Sequence, residues 1–288
     1  MTIAPKFPRE LGTMVAYGFP GLDFAAELVL AHQLGATVLE ILPDWRRYPD
    51  PKALRAPVAD AGLSIHSAHG CWGGQSIRAP GVDLGSCDPM THLASVDDLK
   101  RCVDWLAEAG GRFLVVHPGG LSEPDHAEAR REALARGLVE LAGHARGRGV
   151  ILGLENMPPG VHPGSRMADL FDLLCELDRP ELALTLDTGH AHISATVESE
   201  TVAAGRHLGT THVHDNDGRQ DTHLPPGLGS IAWDAWSEAL DAISYRGPIM
   251  LECIRHIRRN PQSLDAALAK TLEQMTGGAN RPRDESMG

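Results

Sequence analysis

Residues 211–233 bring together side chains that can bind a cation. His212 and His214 alternate with Val213, Asp215, Asn216, Asp217 and Gly218 follow, and Asp221 and His223 stand two residues apart. Alternation that runs into Asp, Asn and Gly reads as a strand entering a loop. Imidazole nitrogen and carboxylate oxygen suit borderline divalent cations such as Zn or Mn, and an Asp-x-His pair on extended backbone points both groups one way. A polar surface turn explains the same residues, because His and Asp are ordinary loop residues.

The same residue types recur at intervals. His69, His117, Glu155, Asp187, His214 and Glu252 each end a short apolar run. Singly they have innocent explanations: Glu155 before Asn156 can cap a turn, and His117 before Pro118 can be a hydrogen-bonded core histidine. Together they suggest one polar site. Charged groups are rarely buried without partners, and a cation is the partner that suits all six.

The elements that must position these residues alternate in type. Apolar β-type runs cover 11–17, 37–42, 63–69, 113–117, 150–155, 182–187, 210–214 and 248–252. Helical spacing covers 22–34, 52–61, 95–109, 125–146, 167–177, 197–206, 233–243 and 263–275. Asp97 and Asp98 fall in the first turn of the third of these helices, where the helix dipole favours negative charge. Each parallel crossover needs a helix and eight strands close, so the pattern predicts an α/β fold, a (β/α)8 TIM barrel. It forms a single domain over residues 1–276, with 277–288 as a disordered tail. No Gly-x-Gly-x-x-Gly follows the first strand and no Walker sequence is present, which counts against an open doubly wound sheet. In a barrel the six polar strand ends converge on the face that carries catalysis. The Gly-containing connection 70–90 is too long for ordinary chain joining and is expected to lie over that site.

Bulk properties narrow the setting. A chain of 288 residues with 42% hydrophobic and 22% charged content can bury one large core. No apolar run is long enough to span a bilayer, and the first ten residues lack the basic start and apolar segment of a signal peptide, so the expected location is cytoplasmic with no membrane partner. Five cysteines without a Cys-x-x-Cys point to free thiols. A formal net charge of −12 disfavours nucleic acid as a partner. The sequence does not give the oligomeric state, although barrels of this size often associate and a homo-oligomer is one assembly open to the chain.

Five segments carry a resemblance: Val-Val-His-Pro-Gly at 115–119, Leu-Glu-Asn at 154–156, Leu-Asp-Thr-Gly-His at 186–190, His-Val-His-Asp-Asn-Asp-Gly at 212–218 and Leu-Glu-Cys at 251–253. The chain resembles the xylose isomerase-like barrel superfamily of sugar and sugar-phosphate isomerases and epimerases, inosose-processing enzymes and endonuclease IV. The resemblance to ketose 3-epimerases implies one divalent cation, often Mn, held by Glu155, Asp187, His214 and Glu252. Zn, Mg and Co are the other candidate metals. The resemblance to endonuclease IV implies three zinc ions and a longer set that adds His69, His117, His190, Asp221 and His223. Every one of those positions carries a suitable residue. The stretch Gly70-Cys71-Trp72-Gly73-Gly74-Gln75 is unlike the Tyr- and Asn-containing segment with which endonuclease IV engages damaged DNA. The 221–229 stretch looks most like sugar-phosphate isomerase/epimerase proteins.

Carbohydrate chemistry is accordingly weighed above phosphodiester hydrolysis of abasic DNA, with a catalytically silent metal-binding barrel as a third reading. The substrate class is a sugar, sugar phosphate or inosose. A divalent ion chelated by a carbonyl and its neighbouring hydroxyl eases removal of the adjacent C–H proton through an enediolate. Glu155 and Glu252, from non-adjacent strands, are the expected acid/base pair. Further substrate contacts are expected from His190, Arg219, Trp72 and Glu40, with Trp45 as a second aromatic that could stack on a sugar face. His190 could equally hydrogen-bond a ligand carboxylate, Glu40 could equally hydrogen-bond within the barrel mouth, and both tryptophans could belong to the core. The basic run Arg255, His256, Arg258 and Arg259 stands where barrels often hold phosphate, although a solvated face explains it more simply.

Overall fold

Among the described residues, short runs, most of them rich in leucine, isoleucine or valine, form eight strands in the computed structural model: β1 (Leu11–Tyr17), β2 (Val38–Pro43), β3 (Ser64–His69), β4 (Phe113–Val116), β5 (Ile151–Glu155), β6 (Leu182–Asp187), β7 (Leu208–His212) and β8 (Ile249–Leu251). The structure describes residues 8–78, 81–260 and 263–277. All strand pairs are parallel, in the order β7-β6-β5-β4-β3-β2-β1-β8. Val213, just past β7, closes the ring by a parallel bridge to Leu251. Its N–H donates to Met250 O at 2.7 Å and its carbonyl accepts from Glu252 N–H at 3.0 Å. The sequence-derived TIM barrel is therefore the observed fold.

Helices α1 (Phe24–Gln33), α2 (Arg55–Asp60), α3 (Pro89–Ala109), α4 (Ala127–Arg146), α5 (Met167–Leu177), α6 (Thr188–Ser194), α7 (Val197–Ala204), α8 (Trp233–Ala242), α9 (Ile254–Arg259) and α10 (Ala266–Thr276) connect the strands or follow the last one. Side chains such as Leu39, Ile41, Leu106, Leu138, Leu152, Leu174 and Leu184 are fully buried in the core. Burial of each stabilises the fold by roughly 1.5–3 kcal/mol before conformational entropy is counted. At the N-terminal end of the barrel, buried Arg9 pairs with Asp241 and donates to Met275 O at 3.1 Å, joining the start of β1 to α8 and α10.

Four local expectations change. Helix α3 begins at Pro89, six residues earlier than the spacing suggests, because Asp88 accepts from Thr91 N–H and Pro89 occupies the first turn. Asp97 and Asp98 thus lie inside the helix, and buried Asp98 accepts from the N–H groups of Ile77 and Arg78, tying down the 70–90 connection. Strand β7 runs two residues earlier than expected. The short helices α6 and α9 were not anticipated. Residues 278–288, nearly all of the expected tail, lie outside the described residues. Among those described, no helix is long and apolar enough to cross a membrane.

Candidate metal centre

The C-terminal ends of β3 to β8 converge as the sequence suggested. His69, Glu155 and Asp187 are the last residues of β3, β5 and β6, His117 follows β4, and Glu252 follows β8. His212 ends β7, with His214 two residues beyond. Asp187 also caps α6, accepting from His190 N–H at 2.7 Å, and so places His190 over the same opening. Asn156 fixes Asp187 from behind: its Oδ1 accepts from Asp187 N–H at 2.7 Å and its Nδ2 donates to Asp187 O at 3.1 Å.

Two clusters result. In the inner one, Glu155 Oε2 lies 3.2 Å from His117 Nε2 and 3.7 Å from His69 Nε2, and Glu155 Oε1 lies 3.1 Å from His212 Nδ1. The same Nδ1 is 3.1 Å from Glu252 Oε2. In the outer one, Asp187 Oδ2 is 3.1 Å from His214 Nε2, and Asp221 lies 3.4 Å from His190, 3.6 Å from His214 and 3.2 Å from His223. The His214 and His223 rings stack with centroids 4.0 Å apart.

These contacts form three groups whose potential ligand atoms lie within 4.8 Å of one another: His69, Glu155 and His212; Glu155, Asp187, His212 and Glu252; and His214, Asp221 and His223. His214 thus falls in the outer group, and the inner four-residue group contains His212, which the sequence reading passed over as a site residue. Its signal was present, since residues two apart on a strand face the same side.

Two features fit the donor set to divalent cations. First, Glu155 Oε2, Glu252 Oε2 and His214 Nδ1 are buried without a well-directed hydrogen bond, which is costly unless another partner is present. Second, Nδ1 of His69, His190 and His223 lies 2.8, 2.8 and 3.0 Å from the carbonyls of Gly70, Asn156 and Glu252. Donation from Nδ1 to a carbonyl turns the Nε2 lone pair toward the carboxylates, the tautomer that metal ligation needs.

Electrostatics separate the two clusters. Burial pushes the Glu155 carboxyl up, but the His212 and His117 imidazoles outweigh it and hold the group well below the usual carboxylate range. Glu252 is likewise raised by burial yet held low by His212 and His223. Burial, with His117 nearby, lowers His69. Burial disfavours charge on His190 and His223, but Asp187 and Asp221 around the first, and Glu252 and Asp221 around the second, raise both to about 10. Folded values above the unfolded one near 6.5 mean that these pairs stabilise the metal-free fold fully below that pH and lose their effect as pH rises through about 10. A cation must displace those protons. Zn2+ uptake at pH 7.5 is therefore expected to release protons and to tighten toward pH 10, measured by calorimetry in buffers of different ionisation enthalpy; a heat independent of buffer contradicts this.

Other expected contacts resolve differently. Glu40 is fully buried, with one oxygen accepting from Ser67 Oγ at 2.6 Å and the other 2.8 Å from His212 Nε2, the hydrogen bonding within the barrel that is its alternative reading. Trp45 is core, its Nε1 donating to His69 O at 3.0 Å. Trp72 is half-buried and packs edge-on to His69 with centroids 4.7 Å apart. Arg219 is exposed on the turn after β7, where its N–H donates to Asp217. Of the basic run, Arg258 is held by both oxygens of Glu27 while Arg255 is exposed.

Gly189 lies under the outer cluster, and a Cβ there would stand 2.0 Å from His214 Cε1. Gly189→Ala must push that ring aside. It is expected to lower the bound divalent metal per chain, read by elemental analysis, while leaving the far-UV circular dichroism unchanged. Unaltered metal content contradicts the placement of His214.

Known proteins share this architecture. A probable endonuclease 4 of Solibacter usitatus is 29% identical over 257 residues, 77% of this chain and 83% of that protein. The L-ribulose 3-epimerase of Methylomonas is 29% identical over 198 residues, 66% of this chain and 65% of its own. The match to the Methanocaldococcus jannaschii protein MJ1311 spans 63% of that relative's length. The crystal structure of a D-tagatose 3-epimerase-like protein superposes with a TM-score of 0.75 at 23% identity, covering 91% of this chain and 97% of the other, and bears on fold alone. The family model "Xylose isomerase-like TIM barrel" matches residues 28–274, from α1 to α10 and across every strand end that builds the two clusters, so the chain belongs to that family.

Proposed function

We propose that this barrel is a divalent-metal-dependent isomerase or epimerase acting on a sugar, sugar phosphate or inosose. Glu155 and Glu252 are its acid/base pair, and Glu155, Asp187, Glu252 and His214 hold the metal; His214, from the outer group, joins through Asp187, whose Oδ2 is 3.1 Å from its Nε2, whereas His212 in the inner group has its Nε2 engaged by Glu40. The observation that carries this reading is the pair of glutamates from β5 and beyond β8, each with a buried oxygen that lacks a well-directed hydrogen bond. A bound Mn or similar ion supplies Lewis-acid polarisation of a carbonyl and its neighbouring hydroxyl. Glu155 and Glu252, both held ionised, are suited to take the proton from the adjacent carbon. For inversion one of them takes that proton while the other, having taken a proton from solvent, delivers it to the opposite face of the same carbon, and the two groups end with their protonation states exchanged. In this reading His190, on α6 beside Asp187, holds a substrate oxygen.

A second reading, an endonuclease IV-like zinc phosphodiesterase, is favoured by the two further ligand groups His69–Glu155–His212 and His214–Asp221–His223. The net charge of −12 weighs against a polyanionic substrate. Elemental analysis of protein purified without chelator, beside assays on ketoses and on an abasic-site oligonucleotide, separates the two. About one divalent ion per chain with ketose turnover and no strand cleavage is expected for the single-ion reading. About three zinc ions with strand cleavage would establish the nuclease instead.

A further inference from the structure

Beneath the two glutamates lies a layer of polar side chains in which Ser67, Glu40 and His212 are each fully buried. Branched aliphatic residues ordinarily fill a barrel interior, and burying a carboxylate against an imidazole is costly unless geometry and hydrogen bonding are good. Here they are good. Ser67 Oγ on β3 donates to Glu40 Oε2 on β2 at 2.6 Å, leaving Glu40 Oε1 at 2.8 Å from His212 Nε2 on β7. The far side of that ring, Nδ1, stands 3.1 Å from both Glu155 Oε1 and Glu252 Oε2. His212 lies two residues before His214 and so projects one step deeper into the barrel.

Strands β5 and β8 are not neighbours in the sheet, so no ladder of backbone hydrogen bonds fixes Glu155 relative to Glu252. His212 is the one side chain within hydrogen-bond distance of both among the described contacts. We infer that Ser67, Glu40 and His212 form a positioning array: Ser67 orients Glu40, Glu40 anchors the His212 ring, and the ring sets the spacing of the two carboxylates that hold the cation and move the proton. The inference rests on the proposed function for its kinetic consequence and on cation binding alone for its other consequence.

The test compares wild type with Glu40→Gln and Ser67→Ala in two measurements: the Kd for Mn2+ by calorimetry, and kcat and KM on a ketose that wild type converts. In Glu40→Gln, Mn2+ is expected to bind about tenfold or more weakly, and kcat to fall by a similar factor at saturating Mn2+ with KM within about twofold. Ser67→Ala is expected to shift both in the same direction by a smaller factor. A merely structural role would lower Tm and leave Kd and kcat of the folded protein unchanged. An unchanged Mn2+ Kd in folded Glu40→Gln overturns the array; if that variant does not fold, an unchanged Kd in Ser67→Ala does so. A wild type that binds Mn2+ but converts no sugar overturns the epimerase reading, and the array then stands or falls on the Kd values.

Discussion

If the proposed epimerase reading holds, Glu155→Gln and Glu252→Gln each lower kcat for epimerisation by about a thousandfold at saturating metal, within the range that general acid–base groups contribute. Glutamine keeps the shape and an oxygen acceptor but cannot take the proton. Both glutamates are held ionised by neighbouring imidazoles, Glu155 by His212 and His117 and Glu252 by His212 and His223, so each is a competent base in the resting protein. The two variants should differ in one respect. In D2O, the variant that has lost only the returning acid still exchanges the substrate's C–H proton without inverting the carbon, whereas the variant that has lost the initial base does neither. Full epimerisation by either variant, with circular dichroism confirming the fold, would reject the pair.

Arg9→Ala is expected to lower folding stability by about 3–5 kcal/mol, the usual consequence of removing one partner from a buried ion pair. The guanidinium is buried, pairs with Asp241 and donates to the carbonyls of Met275 and Tyr245 at 3.1 and 3.4 Å. Truncation removes the guanidinium from a partly buried carboxylate and from two backbone carbonyls. Urea denaturation should therefore show a much lower midpoint at unchanged slope. Arg9 precedes β1, at the opposite end of the barrel from the clusters, so the folded fraction should keep wild-type Mn2+ affinity. A loss below about 1 kcal/mol would show that the pair contributes no more than an exposed one.

Strands and helices with a strong local pattern were legible. The bounds of β1, β6 and α5 agree with the sequence to the residue, because apolar runs or helical spacing end there at Tyr17, Asp187 and Leu177. Helix α3 was misplaced although Asp88-Pro89 carried its start signal. Strand β7 was set two residues late because the His-x-His alternation continues past the ladder, where Val213 keeps a single bridge to Leu251. That displacement also hid His212, whose role depends on Glu40, 172 residues away in the chain. Contacts at such separation leave no periodic trace, and the same holds for Asn156 behind Asp187. The convergence of His69, His117, Glu155, Asp187, His214 and Glu252 was legible because strand ends in a closed parallel barrel share one face.

The loop after β7 hangs on one carboxylate. Asp215 Oδ1 accepts from the N–H groups of Asn216 and Ile231 at 2.9 and 3.1 Å, and Oδ2 from Gly227 N–H and Trp233 Nε1 at 2.9 and 3.0 Å. Asp215 and Leu224 also exchange backbone hydrogen bonds of 2.7 and 3.0 Å. The stretch from 216 to 223 is thereby a closed ring clasped at its base, carrying Asp221 and His223 beside the clasp and the exposed Asp217, Arg219 and Gln220 at its rim. Such a ring behaves as a cassette. A change of side chain at its rim alters what meets the mouth of the barrel, while the clasp holds the chemical side chains in place.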